Sequence, residues 1–207
     1  AFILVMLGVA SFTAGRRILQ VAPHEPARGP SATLDSVGWA ALPIMSGALP
    51  VGLGLVASGL IPLKQVAVVP ILGILIGNAM TATSIAGRRA VGSLTERRGE
   101  FEAALSIGFL DRDAALLVAR EDAALALVPG MDQTRTVGLV TLPGAFVGML
   151  LGGATPIQAA AVQLVVLVGL LLVQAIATAL TLELVCRNLL GSAAGVGSPA
   201  HLSVQPR

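Results

Sequence analysis

The chain contains one lysine, one cysteine and two histidines among 207 residues, and each scarcity removes a class of function. A phosphate-binding loop needs a Gly-rich backbone followed by Lys and Ser or Thr, and Lys64 instead follows Ile-Pro-Leu. Any ATPase working with this chain must be a separate polypeptide, and ATP and magnesium would belong to that partner. Cys186 has no mate for an intrachain disulfide and reads as a small hydrophobe at a helix end. His24 and His201 fall in loops, and no Cys/His cluster, carboxylate pair or nucleophile with its base is placed within an apolar run. No metal site or catalytic group can be identified, and the chain reads as something other than an enzyme. Charge is also scarce. With 12% charged and 55% hydrophobic residues and a mean hydropathy of +0.88, there is too little polar surface to cover a water-soluble globule. The pI is near 9.5, yet the formal charge is only +2 and no basic cluster is interleaved with aromatics, so nucleic acid is excluded as a partner.

What is present is long apolar runs rich in Ala, Leu, Val and Gly. In lipid every backbone polar group must be satisfied internally, and such runs favour helices over the alternating pattern of a membrane barrel. The expected fold is an all-α, polytopic transmembrane bundle forming one membrane domain over residues 1–207. Four complete spans are expected at about 37–61, 65–86, 136–154 and 157–185, after a first span truncated to residues 1–14. That opening run is too short to cross about 30 Å of hydrocarbon and has no signal-peptide pattern, so the true N-terminus is expected upstream. Residues 15–36 read as a loop because of Pro23, Pro26 and Pro30. Pro43 and Pro50 predict a kinked second span, Pro70 lies in the third, and Pro62-Leu-Lys64 and Thr155-Pro156 read as turns. The tail, 191–207, is rich in Gly, Ser and Pro and is expected to be mobile.

Between 87 and 135 the composition changes to seven arginines against eight acids, a solvated two-helix insertion. Ser93-Leu-Thr-Glu96 has capping-box spacing for a helix start, and Asp111 is placed to cap a second helix ending at Pro129-Gly130. Segments 15–36, 87–135 and the C-terminal stretch from Arg187 onward hold twelve of the thirteen Lys and Arg residues, with Lys64 alone on the opposite side. Basic residues near spans are retained in the cytoplasm, so these three segments, including the C-terminus, are expected there.

Few polar residues interrupt the spans, which makes them informative. Asn78, Met80 and Thr81, with Thr83, lie toward the cytoplasmic end of the third span, and Gln158, Gln163 and Gln174 dot the last. Met45 and Ser46 sit beside the Pro43 kink. Asn78, Met80, Thr81, Gln163 and Glu183 are candidates for a translocation path, while interhelical hydrogen bonding would use the same groups. Glu183 reads either as an i,i+4 ion pair with Arg187 or as a cation vestibule. Gly73 and Gly77, and Gly144, Gly148 and Gly152, recur every four residues and suit close helix crossings, within the chain or between subunits. Asp132 is placed to cap the fourth span, with Arg135 anchoring to lipid phosphate or to Asp132.

Two motifs carry a resemblance. Glu102-Ala103-Ala104-Leu-Ser-Ile-Gly108, followed by Phe109-Leu110, resembles the loop by which ABC-type permeases dock on their ATPase. A short amphipathic helix there ends at a glycine that turns the chain and presents apolar anchors to a partner groove. The run Asp132-Gln-Thr-Arg-Thr-Val-Gly-Leu-Val-Thr-Leu-Pro-Gly144, with the Gly77-Asn-Ala-Met80 signature, is similar to the FetB/YbbM permeases of iron-export ABC transporters, whose plant relatives act in aluminium tolerance. The resemblance implies a permease subunit in a bacterial inner membrane that exports iron or another metal. It further implies a second copy of the chain, surrounding lipid and a separate ABC ATPase as partners. An importer permease for a small solute and a non-transport scaffold are the alternatives.

Overall fold

In a computed structural model, residues 2–20, 30–58, 65–136 and 143–190 are described, and among them every regular element is helical. The order is α1 (Phe2–Leu19), α2 (Pro30–Ala57), α3 (Gln65–Glu96), α4 (Arg98–Ser106), α5 (Asp111–Ala124), a 3-10 turn (Leu125–Leu127), α6 (Val128–Thr136), α7 (Gly144–Leu151) and α8 (Pro156–Cys186). Helices α1, α2, α3 and α8 form the bundle, and α3 and α8 share its broadest contact. Its interior is built mainly from small residues: Ala10, Ala14, Ala40, Ala48, Ala79, Ala82 and Ala177 surround Ile18, Ile44, Leu75 and Val173. Small residues let backbones approach, the main source of helix association where water does not drive it. Gly47 and Gly169 of the α2/α8 crossing show this, since a Cβ at Gly47 would lie 3.0 Å from the Val173 carbonyl oxygen and one at Gly169 3.3 Å from Val51 Cγ1.

The outer faces are as apolar as the inner ones. Ile157, Leu164, Val168 and Leu172 follow one face of α8, and Leu4, Val5, Val9 and Phe12 lie on α1, all exposed. Such belts would be a liability in water and cost nothing in hydrocarbon. Gly38–Ala57 of α2 and Pro156–Cys186 of α8 are each long and apolar enough to cross a bilayer.

Several expected boundaries move. Residues 15–19 and 30–36, expected as loop, are helical: α1 continues through Arg16 and Arg17, and Pro30 starts α2, where a missing N–H costs nothing. The third span does not stop at 86, because α3 runs on to Glu96 as one helix of 32 residues. Ser93-x-x-Glu96 is therefore no helix start: Ser93 lies inside α3 and uses its hydroxyl on another helix, as described below. Asp111 is the first residue of α5 rather than its cap, which is Leu110. Pro129-Gly130 does not end a helix; α5 stops at Ala124, a 3-10 turn follows, and Pro129 stands in the first turn of α6. The insertion thus holds α4, α5 and α6. Asp132 sits inside α6 rather than at its first residue. For the span expected at 136–154, α7 supplies only eight residues, about 12 Å of helix, and residues 137–142 lie outside the described residues, as do the turn at 62–64 and the tail. Thr155 begins α8 with a capping box: its hydroxyl accepts from the Gln158 N–H, and Gln158 Oε1 accepts from the Thr155 N–H at 3.0 Å.

Candidate functional site: the insertion and the α3/α8 seam

Helix α5 buries an alanine stripe, Ala114, Ala115, Val118, Ala119 and Ala123, the spacing of one helical face. That face lies on the C-terminal part of α3, where polar groups fix its position. The Ser93 hydroxyl donates to Asp122 Oδ2, and Arg97 Nη2 donates to the same oxygen at 3.1 Å and to the Val118 carbonyl. Helix α4 buries Phe101 and Ala104 and leaves Glu102 and Ala103 exposed, with Glu102 paired to Arg98 at 2.8 Å. It closes in a Schellman turn: Phe109 N–H donates to the Ala104 carbonyl at 3.2 Å and Gly108 N–H to that of Leu105 at 3.0 Å. Gly108 adopts φ +95°, a backbone region that favours glycine. The turn projects Ile107, Phe109 and Leu110 outward, 76%, 44% and 73% exposed, an apolar tip on an otherwise charged insertion.

From this tip α5 runs directly to the bundle. Arg112, two residues beyond Leu110, donates Nε to Glu183 Oε1 and Nη2 to Glu183 Oε2, both at 2.8 Å. This bidentate geometry is the strong form of an arginine–carboxylate bond. The bond to Glu183 raises the Arg112 guanidinium further above its already high ordinary range, so its charge is permanent. Arg187 joins from one turn further along, Nε to Glu183 Oε1 at 2.6 Å. The i,i+4 ion pair expected from sequence is present, as the minor part of a three-residue clamp.

The membrane half of the α3/α8 seam carries the polar groups. Gln174 Nε2 donates to Asn78 Oδ1 at 2.8 Å, and Asn78 Nδ2 donates to the Ile74 carbonyl at 2.9 Å. Gln174 is 5% exposed, its Oε1 has no partner, and it abuts Gly130 of α6 so closely that a Cβ there would overlap the amide. Gln163 and Thr178 are also buried with unpartnered oxygens. Positions 163, 174, 178 and 181 fall on one face of α8 by its 100° rotation per residue, and the Asn78 bond shows that this face meets α3. Thr81 lies outside this arrangement, exposed and donating to the Gly77 carbonyl, while Met80 packs against the core. Among the described residues no group of three or more His, Cys, Asp or Glu side chains is gathered to hold a metal ion.

Of the spaced glycines, Gly73 would place a Cβ 2.9 Å from Met6 Cε, whereas among the described residues nothing lies within 4 Å of a Cβ at Gly77, Gly144 or Gly148, and one at Gly152 meets carbonyls of its own helix. Asp132 and Arg135 are exposed and 3.9 Å apart, a weak i,i+3 pair. The residues sequence reasoning missed are Arg112, Asp122, Ser93 and Gly130. Three appear as ordinary members of a charged helix or a helix start, and Gly130 as a terminator.

The sequence pattern of an uncharacterised protein family, UPF0014, matches residues 1–190. The chain belongs to that family. This UPF0014 chain is 36% identical over 164 residues to "UPF0014 membrane protein STAR2" of Oryza sativa subsp. japonica, covering 79% of the chain and 53% of the relative. It is 35% identical over 164 residues to "Protein ALUMINUM SENSITIVE 3" of Arabidopsis thaliana, covering 79% and 56%. To "Probable iron export permease protein FetB" of Escherichia coli it is 31% identical over 138 residues, covering 67% and 53%. The chain spans about half the length of the curated relatives it matches. No solved structure matches it. Membership places the helical bundle in a membrane, as its apolar outer faces require, and the relatives carry the names of permeases and membrane proteins rather than of enzymes.

Proposed function

We propose that the protein is the permease subunit of a bacterial ABC transporter that exports iron or another metal. A separate ATPase, holding ATP and magnesium, docks on the apolar tip of Ile107, Phe109 and Leu110, which Gly108 presents. In this reading α1 and α3 join α2 and α8 as spans of the inner membrane, with the insertion and C-terminus cytoplasmic. Two copies of the chain enclose the path, since the core of the described bundle is closely packed around alanine. The observation that carries the proposal is the Arg112–Glu183 clamp: it ties the docking tip through α5 to the end of α8, the more apolar of the two helices long enough to cross a bilayer. Force on the tip would therefore reach the seam holding Asn78, Gln174, Gln163 and Thr178. Neutral amide and hydroxyl oxygens suit a hard cation that must be released again.

The test is reconstitution with a candidate ABC ATPase from the same source organism. Stimulated ATP hydrolysis and metal flux into inside-out vesicles are expected, both lost with Gly108→Pro. Inward solute flux instead would identify an importer, and an ATPase that ignores the chain would leave only a scaffold.

A further inference from the structure

An open cleft of about 530 Å³ lies between α3 and α5, lined by Ile85, Arg88, Arg89, Gly92, Ser93, Glu96 and Asp122. Its depth relative to the membrane follows from α1 and α3. Residues 65–87 of α3 are uncharged, Arg88 is the first charge, and Gly87 is seated on Ile18, whose Cδ1 would be 2.5 Å from a Cβ there. Ile18 follows Arg16 and Arg17, so the first charges of both helices stand at one level, the boundary where arginine meets headgroup phosphate. Within the cleft the charges are sorted. Asp122 is engaged by Arg97 and Ser93. Arg88 uses only Nε, on the Ser84 carbonyl at 3.3 Å. Arg89 and Glu96 are exposed and have no hydrogen bond or ion pair among the described residues. Two free guanidinium ends thus precede one free carboxylate by seven to eight residues, about 11 Å along the helix.

We propose that this cleft binds the headgroup of a phospholipid bearing a primary ammonium, of the phosphatidylethanolamine type. Moving outward along α3 the lining is apolar, then cationic, then anionic. That is the order of acyl chain, phosphate and ammonium in such a lipid. Arg88 and Arg89 take the phosphate, Glu96 takes the ammonium, and Ile85 lies against the first methylenes. A lipid carrying only negative charge would gain the same arginines and meet repulsion from Glu96. The proposal rests on the membrane placement of α3 and is independent of what the protein transports.

The purified protein, with Arg89→Gln and Glu96→Gln variants, is titrated in detergent with short-chain phosphatidylethanolamine, short-chain phosphatidylglycerol and inorganic phosphate, reading the thermal midpoint. Phosphatidylethanolamine should raise the wild-type midpoint at the lowest concentration. Arg89→Gln should weaken both lipids by roughly tenfold, the loss of about one charge contact. Glu96→Gln should reverse the preference toward phosphatidylglycerol. Equal wild-type response to the two lipids, or a phosphate response matching that of lipid, would overturn the proposal. Native mass spectrometry of the wild type after exposure to an equimolar mixture gives a check that needs no variant: equal retention of the two lipids is again fatal.

Discussion

The guanidinium of Arg112 and the carboxylate of Glu183, 71 positions apart in sequence, meet through two bonds of 2.8 Å. Both residues are partly exposed, so the pair adds little to stability. Its value is geometric, because two parallel bonds fix an angle as well as a distance. Arg112→Ala should leave the thermal midpoint of the purified chain nearly unchanged and uncouple the partner's ATP hydrolysis from transport. The charge-swapped double variant Arg112→Glu with Glu183→Arg should recover part of that coupling. Flux per ATP is the quantity to measure, and an unchanged ratio in Arg112→Ala would refute the strut role.

At Gly130 the expectation concerns packing. A methyl there overlaps the Gln174 amide, so Gly130→Ala should destabilise the folded chain by about 1–3 kcal/mol, the usual cost of overpacking. Gln174→Ala in the same molecule removes the overlap and should return much of the loss. Equilibrium unfolding in mixed micelles of the two single variants and the double gives the coupling, and additive effects would contradict the contact.

Gly108 and Gly87 separate docking from folding. At φ +95° a side chain is strained by about 1–2 kcal/mol, yet a Cβ at Gly108 meets no neighbour within 4 Å. Gly108→Val should therefore keep the bundle intact and lose ATPase stimulation. Gly87→Val pushes into fully buried Ile18 and should lower yield and melting temperature before any function is measured.

For the α7 glycines the single chain and the assembly should behave differently. Side chains at Gly144 and Gly148 would meet nothing within 4 Å among the described residues. Gly148→Leu should leave helicity and melting of the isolated chain unchanged. If these positions meet a second copy, the same variant should be monomeric by light scattering and inactive in flux. A dimeric, active Gly148→Leu protein would remove α7 from the interface.

Composition and hydropathy made the membrane bundle legible, because periodic apolar runs report burial in lipid directly. Motif spacing placed the turn at Gly108 correctly, since a glycine at the Schellman position is a local signal: Gly108 needs only its own neighbours. What stayed hidden was long-range. Ser93-x-x-Glu96 satisfies the capping pattern, yet the favourable packing of α5 keeps α3 helical through it and turns the serine toward Asp122. Pro129 reads equally as a stop or a start, and only the preceding 3-10 turn decides. Arg112 looks like any surface arginine until α8 returns beside it, and Asn78 and Gln174 become a pair only through the fold.

The uninterrupted 32 residues of α3 make it a single rod of about 48 Å. Gly87 seated on Ile18 stands two-thirds of the way along it. A body pushed at its short, water-facing end, where α5 is fastened, must swing the longer lipid-facing end the opposite way and further. A small stroke at Glu96 would arrive undiminished at Asn78, which lies as far from Gly87 on the other side, and enlarged toward Gln65.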